Sequence, residues 1–557
     1  MSAVLTDNLP LLAGAPNGIK KLRELILELA VRGKLVPQDP SDEPASELLK
    51  LIAEEKARLV AQGKIKKQKP LAGVEEAALP FQLPVAWVWA RLGEITNFGT
   101  TTKKDEIPDD AWVLDLEDIE KDTSRLLQKT RFYERNSLSD KNSFAKGDVL
   151  YGKLRPYLNK VLVAEDDGFC TTEILPFRCH GPYVAHYFMV ALKSPYFLSY
   201  VNAKSYGMKM PRLGTEDGRQ ALFPLPPLAE QHRIVAKVDE LMALCDRLEA
   251  RQADAVSAHV QLVQALLGSL TQASNAEDFA QSWQRLAEHF HALLTTESSI
   301  DALKQTLLQL AVMGKLVPQD PSDEPASELL RRIAEQKARL ISEEGLRTTA
   351  RDDVPEAEHY FRLHTGWASC RLGNLARFID YRGRTPTKTS YGVPLITAKN
   401  VRPGFISRDP QEFIAETDYL SWMTRGFPRV GDMLFTTEAP MGNVAVIDIA
   451  ERFALAQRVI CFQLHELETG PFLKLTMMSS GFQTQLSDAA TGMTATGIKS
   501  SRLKEIPVPI PPLAEQHRIV AKVDQLMALC DQLKARLNHV RQVHEHLASA
   551  LVEQGVA

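Results

Sequence analysis

The chain carries the same text twice. Gly33–Leu49 reads GKLVPQDPSDEPASELL and recurs letter for letter at Gly314–Leu330, and PPLAEQHRIVAKVD at Pro226–Asp239 recurs at Pro511–Asp524. The blocks stand 281 and 285 positions from their copies (33 to 314, 226 to 511) in a chain of 557 residues, so two half-copies are laid head to tail. What lies between them behaves differently. Residues from about 80 to 225 and from about 360 to 510 fill equivalent slots, yet share little beyond anchors such as Trp89-Ala-Arg-Leu-Gly against Ala368-Ser-Cys-Arg-Leu-Gly. A constant frame around two different inserts suits a device that presents two recognition surfaces. That points to binding before catalysis.

The frame reads as helical. In residues 18–32, Leu22, Leu25, Ile26, Leu29 and Ala30 fall on one helix face that Gly33 can terminate. A turn through Pro37, Asp39 and Pro40 leads to a second helix expected to begin near Ser41 or Asp42, with Pro44 in its first turn, and to run to about Leu59; residues 301–340 repeat the plan. The second block opens a longer helix. Apolar positions step by seven through Ile234, Leu241, Leu248, Ala255 and Leu262, with Val238 and Cys245 interleaved. Its copy has Ile519, Leu526, Leu533, Val540 and Leu547, with Val523, Cys530, Leu537, His544 and Leu551 interleaved. This spacing predicts a coiled-coil seam on helices of about 35 to 40 residues.

The inserts read as mixed α/β. Short β-branched runs at 111–116, 147–152, 158–164, 431–437 and 443–448 predict strands, and Tyr183–Leu192 and Pro471–Met478 predict helices. Each insert ends in a Pro-rich stretch, Phe223-Pro-Leu-Pro-Pro or Ile506-Pro-Val-Pro-Ile-Pro-Pro, expected to be a stiff extended lead-in. The expected fold class is α/β: two mixed α/β globular domains joined by an antiparallel coiled coil of long helices, pseudo-twofold and circularly organised. Its segments are residues 1–79, 80–225, 226–345, 346–510 and 511–557. The helices of residues 20–60 would pack beside the last long helix, completing in space a frame that the chain order leaves open.

Composition narrows the classes. Hydrophobic content of 44% suffices for packed cores. The N-terminus lacks a secretory pattern and no apolar run of about 18 residues occurs, so the cytoplasm is the expected location and no membrane is involved. Six cysteines form no CxxC pair, and Cys170, Cys179 and His180 match no common zinc spacing, so no metal is expected. The net charge of −4 conceals a local contrast. Asp39, Asp42, Glu43 and Glu47 and their copies load the frame with acid, while Lys141, Lys146, Lys153, Arg155 and Lys160 gather in the first insert and Arg377, Arg382, Arg384 and Lys388 in the second. Local basic patches can bind phosphate on an acidic chain.

The sequence PLPPLAEQHRIVAKVDELMALCDRLEA, the GKLVPQDPSDEPASELL block and the domain starts Trp87-Val-Trp-Ala-Arg-Leu-Gly-Glu-Ile and Gly366-Trp-Ala-Ser-Cys-Arg-Leu-Gly-Asn-Leu resemble the specificity subunit of type I restriction-modification systems over nearly the whole chain. The resemblance implies two target recognition domains, each reading half of a split DNA sequence, on duplicated helices that space them and dock other subunits. The implied partners are double-stranded DNA, two modification (methyltransferase) subunits and the restriction (endonuclease and translocase) subunits. S-adenosylmethionine, ATP and Mg would sit on those partners, with no cofactor on this chain.

Candidate contacts follow from side-chain chemistry. Lys153, Arg155, Tyr157, Asn159 and Lys160 stand on and after a predicted strand end, where Lys and Arg can hold phosphate or guanine and Asn can pair with adenine. The equivalent stretch of the second insert offers Thr436, Thr437 and Asn443. A loop of small residues precedes each Pro-rich stretch and brings Lys209 and Arg212, or Lys499 and Arg502, as phosphate ligands. Arg382, Arg384 and Lys388 make the strongest basic loop of the second insert. Catalytic patterns are missing: there is no GxxxxGK[ST] loop, no Asn-Pro-Pro-aromatic motif, and no acidic-x-Lys partner for Pro108-Asp109. His232 and His517 lack a nucleophile and read as helix-capping or partner contacts. A non-enzymatic DNA-recognition subunit is expected; the alternative is a coiled-coil protein-interaction scaffold without sequence-specific DNA binding.

Overall fold

The computed structural model describes residues 9–65, 70–71, 73–74, 79–135, 139–273, 276–344, 354–359, 361–381, 385–491 and 496–556. The chain divides into two compact units, residues 1–255 with 540–557, and residues 256–539. The two long helices, Leu228–Gln272 and Leu513–Val556, each contribute one part to one unit and the rest to the other.

In the first unit, helix Gly18–Val31 buries the face the spacing predicts. Gly33, at φ 68°, ends it: Lys34 N–H returns to Leu29 O at 2.9 Å, and a Cβ on Gly33 would lie 2.4 Å from Pro84 Cγ. The next helix, Ala45–Ala61, starts later than expected, with Pro44 as its N-cap. Asp42 is committed elsewhere, to Arg233 at the start of the first long helix (Nη1 to Oδ1, 3.1 Å). Leu22, Leu25, Ile26 and Leu29 share one core with Ile234, Val238, Leu241 and Cys245 of the first long helix and with Ala548 near the end of the second. Lys21 Nζ donates to Ser549 Oγ at 2.6 Å, and Arg23 pairs with Asp246 (2.6 Å) and Glu249 (2.9 Å). The two ends of the chain thus meet in one core, which is the circular closure expected.

The second unit repeats the plan with different parts. Helix Glu297–Val312 packs Ile300, Leu303, Leu307 and Leu310 against Val263, Leu267 and Leu270 of the first long helix and Cys530 of the second. Lys304 pairs with Asp531, the counterparts of Arg23 and Asp246. In each unit, then, the beginning of one long helix lies with the end of the other, so the pair is antiparallel.

The seam itself departs from the seven-residue rows. Ile234, Leu241 and Ile519 are buried, but Leu262 is 52% exposed and Val540 and Leu547 are also exposed. The interleaved rows hold at Val238 and Cys245 and at Val523 and Cys530; beyond them burial resumes at Val263 and at Ala548, each 18 residues after a buried cysteine (245 to 263, 530 to 548). Eighteen residues are five turns at 3.6 per turn, whereas a strict heptad drifts about 20° per repeat on a straight helix. The helices are also longer than expected, at 45 and 44 residues.

Each unit carries an α/β domain built on a four-stranded antiparallel sheet of one strand order. It runs Thr96–Asn97, Ile174–Cys179, Val149–Gly152, Val161–Val163 in the first and Ala376–Asp380, Val459–Leu464, Met433–Thr436, Val444–Val446 in the second. The Gly-Asp before each central strand has a structural cause. Asp148 accepts from Ala145 N and two Arg178 nitrogens at 2.8 Å, and Asp432 accepts from Arg429 N and Nη2 at 2.9 Å.

The second sheets differ: five strands including Lys141–Phe144 and Gly168–Thr171 in the first domain, four including Val393–Ile396 in the second. The Pro-rich stretches are strands rather than free lead-ins. Leu222–Leu225 pairs with Val88–Arg91 and Pro507–Ile510 with Ala368–Arg371, in two-stranded ribbons where each strand has a single neighbour and Pro costs little. The expected helices, Ala185–Lys193 and Gly470–Met478, are each followed by one the spacing does not announce, Pro195–Lys204 and Ser480–Ala489, capped by Ser194 and Ser479. Among the described residues no helix is long and apolar enough to cross a membrane.

Candidate nucleic-acid interface

In the first domain, strand Val149–Gly152 ends at Lys153, and the chain turns through Arg155 and Asn159, both left-handed at φ 49°. This turn is stitched to the small-residue loop of residues 204–213. Arg155 N–H reaches Pro211 O at 2.7 Å, and Leu213 N–H reaches Lys153 O at 3.0 Å. Two stretches that are distant in sequence therefore form one surface. Arg155, Tyr157 and Lys209 are exposed on it and Lys153 is half-buried, and their side chains make no hydrogen bond or ion pair among the described residues.

Three other candidates have partners within the domain. Asn159 Nδ2 donates to Lys193 O at 3.1 Å, Lys160 Nζ donates to Leu116 O at 2.6 Å, and Arg212 pairs with Glu173 at 2.7 Å. Lys141 is likewise buried, facing Asp115 at 3.6 Å, and adds nothing to the surface.

The second domain follows the same backbone course up to the proline, with other side chains. Thr437, Glu438 and Ala439 stand 284 positions after Lys153, Leu154 and Arg155. Ile498 N–H reaches Thr437 O at 3.1 Å as Leu213 N–H reaches Lys153 O, and Ala439 is left-handed at φ 46° before a proline, as Arg155 is. Thr436 and Thr437 are 0% and 1% exposed, and Asn443 donates its backbone N–H to Thr436 Oγ1 and Nδ2 to Val401 O, both at 2.9 Å. Thr436 and Thr437 are thus buried in the loop's scaffold, and Asn443 is bonded into it.

Lys499 and Arg502 are exposed, Arg502 donating to Ala489 O at 3.2 Å, and Lys388 pairs with Glu412 at 2.6 Å. Arg382 and Arg384 lie outside the described residues; Tyr381 before them stacks on Trp422 with ring centroids 5.7 Å apart. Residue-type reasoning missed Arg458, which pairs with Glu438 at 2.7 Å. It occupies the place of Glu173, 285 positions on, so the charge at that site is reversed between the domains. Carrying the 285-residue offset through the inserts would have found it.

Behind each surface a lysine of the frame grips the domain. Lys56 Nζ donates to Gly93 O (2.9 Å) and Glu94 O (3.0 Å), and Lys337 Nζ to Asn374 Oδ1 (2.7 Å). Beside them stand His180 and His465, again 285 apart. Burial, with Lys56 adding to it, holds His180 at about 4; burial, then Lys337 and Arg429, holds His465 at about 4. Both are neutral imidazoles near neutral pH. Burial likewise pushes the Cys179 thiol up to about 11, and the described residues contain no group of three or more His, Cys, Asp or Glu able to hold a metal.

Two α/β domains of one architecture, showing different side chains on matched loops, define a protein built for two different contacts. Residues 365–541 match the family model described as the type I restriction modification DNA specificity domain. The chain is similar to the type I restriction enzyme EcoAI specificity subunit of Escherichia coli, 38% identical over an alignment covering 97% of this chain and 94% of that one. It is also similar to the EcoEI specificity subunit of Escherichia coli, at 37% identity over 96% and 93% of the two chains. A chain solved in work on complex assembly and conformational transition of the type I R-M system shares the fold, with a TM-score of 0.52 at 19% identity over 86% of this chain and 99% of that one. The chain belongs to the family of type I restriction enzyme specificity subunits.

Proposed function

We propose that this chain is the non-catalytic DNA-reading subunit of a type I restriction-modification complex, each α/β domain reading one half of a bipartite target. The observation that carries this is the pair of matched loops: one backbone course presents Leu154 and Arg155 in one domain and Glu438 and Ala439 in the other. A shared scaffold with different side chains is what two half-site specificities require. Lys153, Arg155, Tyr157 and Lys209 would meet DNA in the first half. Lys499 and Arg502, with Arg382, Arg384 and Lys388 of the basic loop, would do so in the second. Two modification subunits and the restriction subunits are the partners, and S-adenosylmethionine, ATP and Mg belong to them.

The test is to map modified adenines in cells carrying the chain with its methylation partner, and again after residues 80–225 are exchanged for those of a relative. One half of the target should change and the other persist. Loss of both halves with the fold intact would count against modular reading. A complex that shows neither sequence preference nor salt-dependent retention of duplex DNA would instead be an interaction scaffold.

A further inference from the structure

We propose that the Gly207-Met208 tip of the first domain's small-residue loop is an apolar probe that enters the DNA duplex at a base step and reads sequence without hydrogen bonds. This rests on the chain being the DNA-reading subunit.

The loop is a closed device. Tyr206 and Arg212 form a two-way bridge (Tyr206 N–H to Arg212 O, 3.1 Å; Arg212 N–H to Tyr206 O, 2.9 Å), and Gly207 turns the chain at φ 102°, where a Cβ would meet Met210 O at 3.0 Å. That turn presents Met208 at 104% relative exposure, with Tyr206 and Met210 exposed on either side. Lys204 and Lys209 are exposed around it, and the loop is bonded through Pro211 to the turn that carries Arg155.

A single exposed apolar side chain needs no explanation. This one recurs. The second domain spells Thr491-Gly492-Met493 285 positions later, and Thr491 and Gly497 close that loop with the same bridge, at 2.9 and 3.1 Å. Residues 492–495 lie outside the described residues. Between the two bridges only the Gly-Met pair is shared; Lys209-Met210-Pro211 stands against Thr494-Ala495-Thr496. An apolar tip set among lysines matches the duplex, whose phosphates flank a groove floor of stacked bases. Apolar wedges flanked by cations enter and partly unstack base steps. The unbranched, polarizable thioether can adapt to the gap between partly unstacked bases.

The experiment uses the assembled complex and duplexes carrying the mapped target. Met208→Ala should weaken cognate binding by about tenfold, the scale of one base contact, while affinity for random duplex and the salt slope stay at wild-type values, since no counterion is released. Met208→Leu should retain most of the affinity. Lys209→Ala should weaken binding to all sequences and lower the salt slope by about one. Met493→Ala should act on the other half-site alone. Cognate affinity and base-step preference unchanged in Met208→Ala, with Lys209→Ala still effective, would overturn the probe and leave DNA reading intact. A wild-type complex that prefers no sequence would overturn both.

Discussion

Trp87 donates its indole N–H to Glu230 Oε2 at 2.9 Å, and Trp367 makes the same bond to Glu515 at the same distance. The other carboxylate oxygen of each Glu accepts from Gln38 (2.7 Å) or Gln319 (2.9 Å). Three pieces of each half-copy meet at that one carboxylate: the GKLVPQDP block, the start of the α/β domain and the first turn of the long helix. Both Glu are buried, and burial pulls the Glu230 carboxyl above its ordinary range, so each donor is needed to offset the lost water.

Trp87→Phe should therefore destabilise the first unit by about 1–3 kcal/mol, the cost of leaving a buried acceptor short of a partner, and Trp367→Phe should do the same to the second. Denaturant unfolding followed with a probe in each unit separates the two effects, because two units need not unfold together. Unfolding midpoints equal to wild type in both variants would show that the bond contributes nothing.

The meeting of chain ends predicts a local consequence. Deleting residues 1–61 removes Leu22, Leu25, Ile26 and Leu29 from the core around Ala548 and removes the Lys21–Ser549 bond. Amides in residues 540–556 should lose protection from hydrogen exchange, while those in 519–537, packed in the other unit, keep it. Equal protection in both stretches would refute the closure.

Arg155 combines strain with exposure. A non-glycine residue at φ 49° carries a cost of about 1 kcal/mol, so Arg155→Gly should leave stability unchanged or raise it by up to about that much. The same variant should weaken DNA binding and lower its salt dependence, as should Lys153→Ala. Thermal melts and salt-titrated binding on one preparation check both halves; unchanged affinity would return the turn to a purely structural role.

Acid should loosen the grip of frame on domain. The folded protein holds His180 and His465 at about 4, whereas an unfolded chain titrates its histidines near 6.5. Between these values the unfolded state binds protons that the folded state refuses, so stability is complete above about 6.5 and falls as pH drops toward 4. His180→Gln should flatten this acid limb for the first unit, measured as urea midpoints from pH 7 to pH 4.5. Parallel slopes in variant and wild type would exclude His180 as the cause.

The duplication, the helix at residues 18–31, the long helices and the strand after each Gly-Asp were legible from spacing, because local periodicity and repeated text do not depend on distant partners; the neighbouring central strands Ile174–Cys179 and Val459–Leu464 were not. So was the position of the loop after each of those Gly-Asp strands, since a Gly-Asp turn before a β-branched run announces a strand and its end. Side-chain direction was not legible. Asn159, Lys160 and Asn443 look like DNA ligands by type and place, yet each donates to a carbonyl 34 to 44 residues away, at Lys193, Leu116 or Val401. The buried row of the long helices keeps its seven-residue step at 234–241, 238–245 and 263–270 but changes face between them, because several cores, drawn from both ends of the chain, select which face is covered. The linear text determined the parts, their order and their duplication. Only the tertiary structure decided which polar groups are consumed inside and which remain for a partner, because a hydrogen bond is satisfied by whatever the fold brings within 3 Å and not by sequence neighbours.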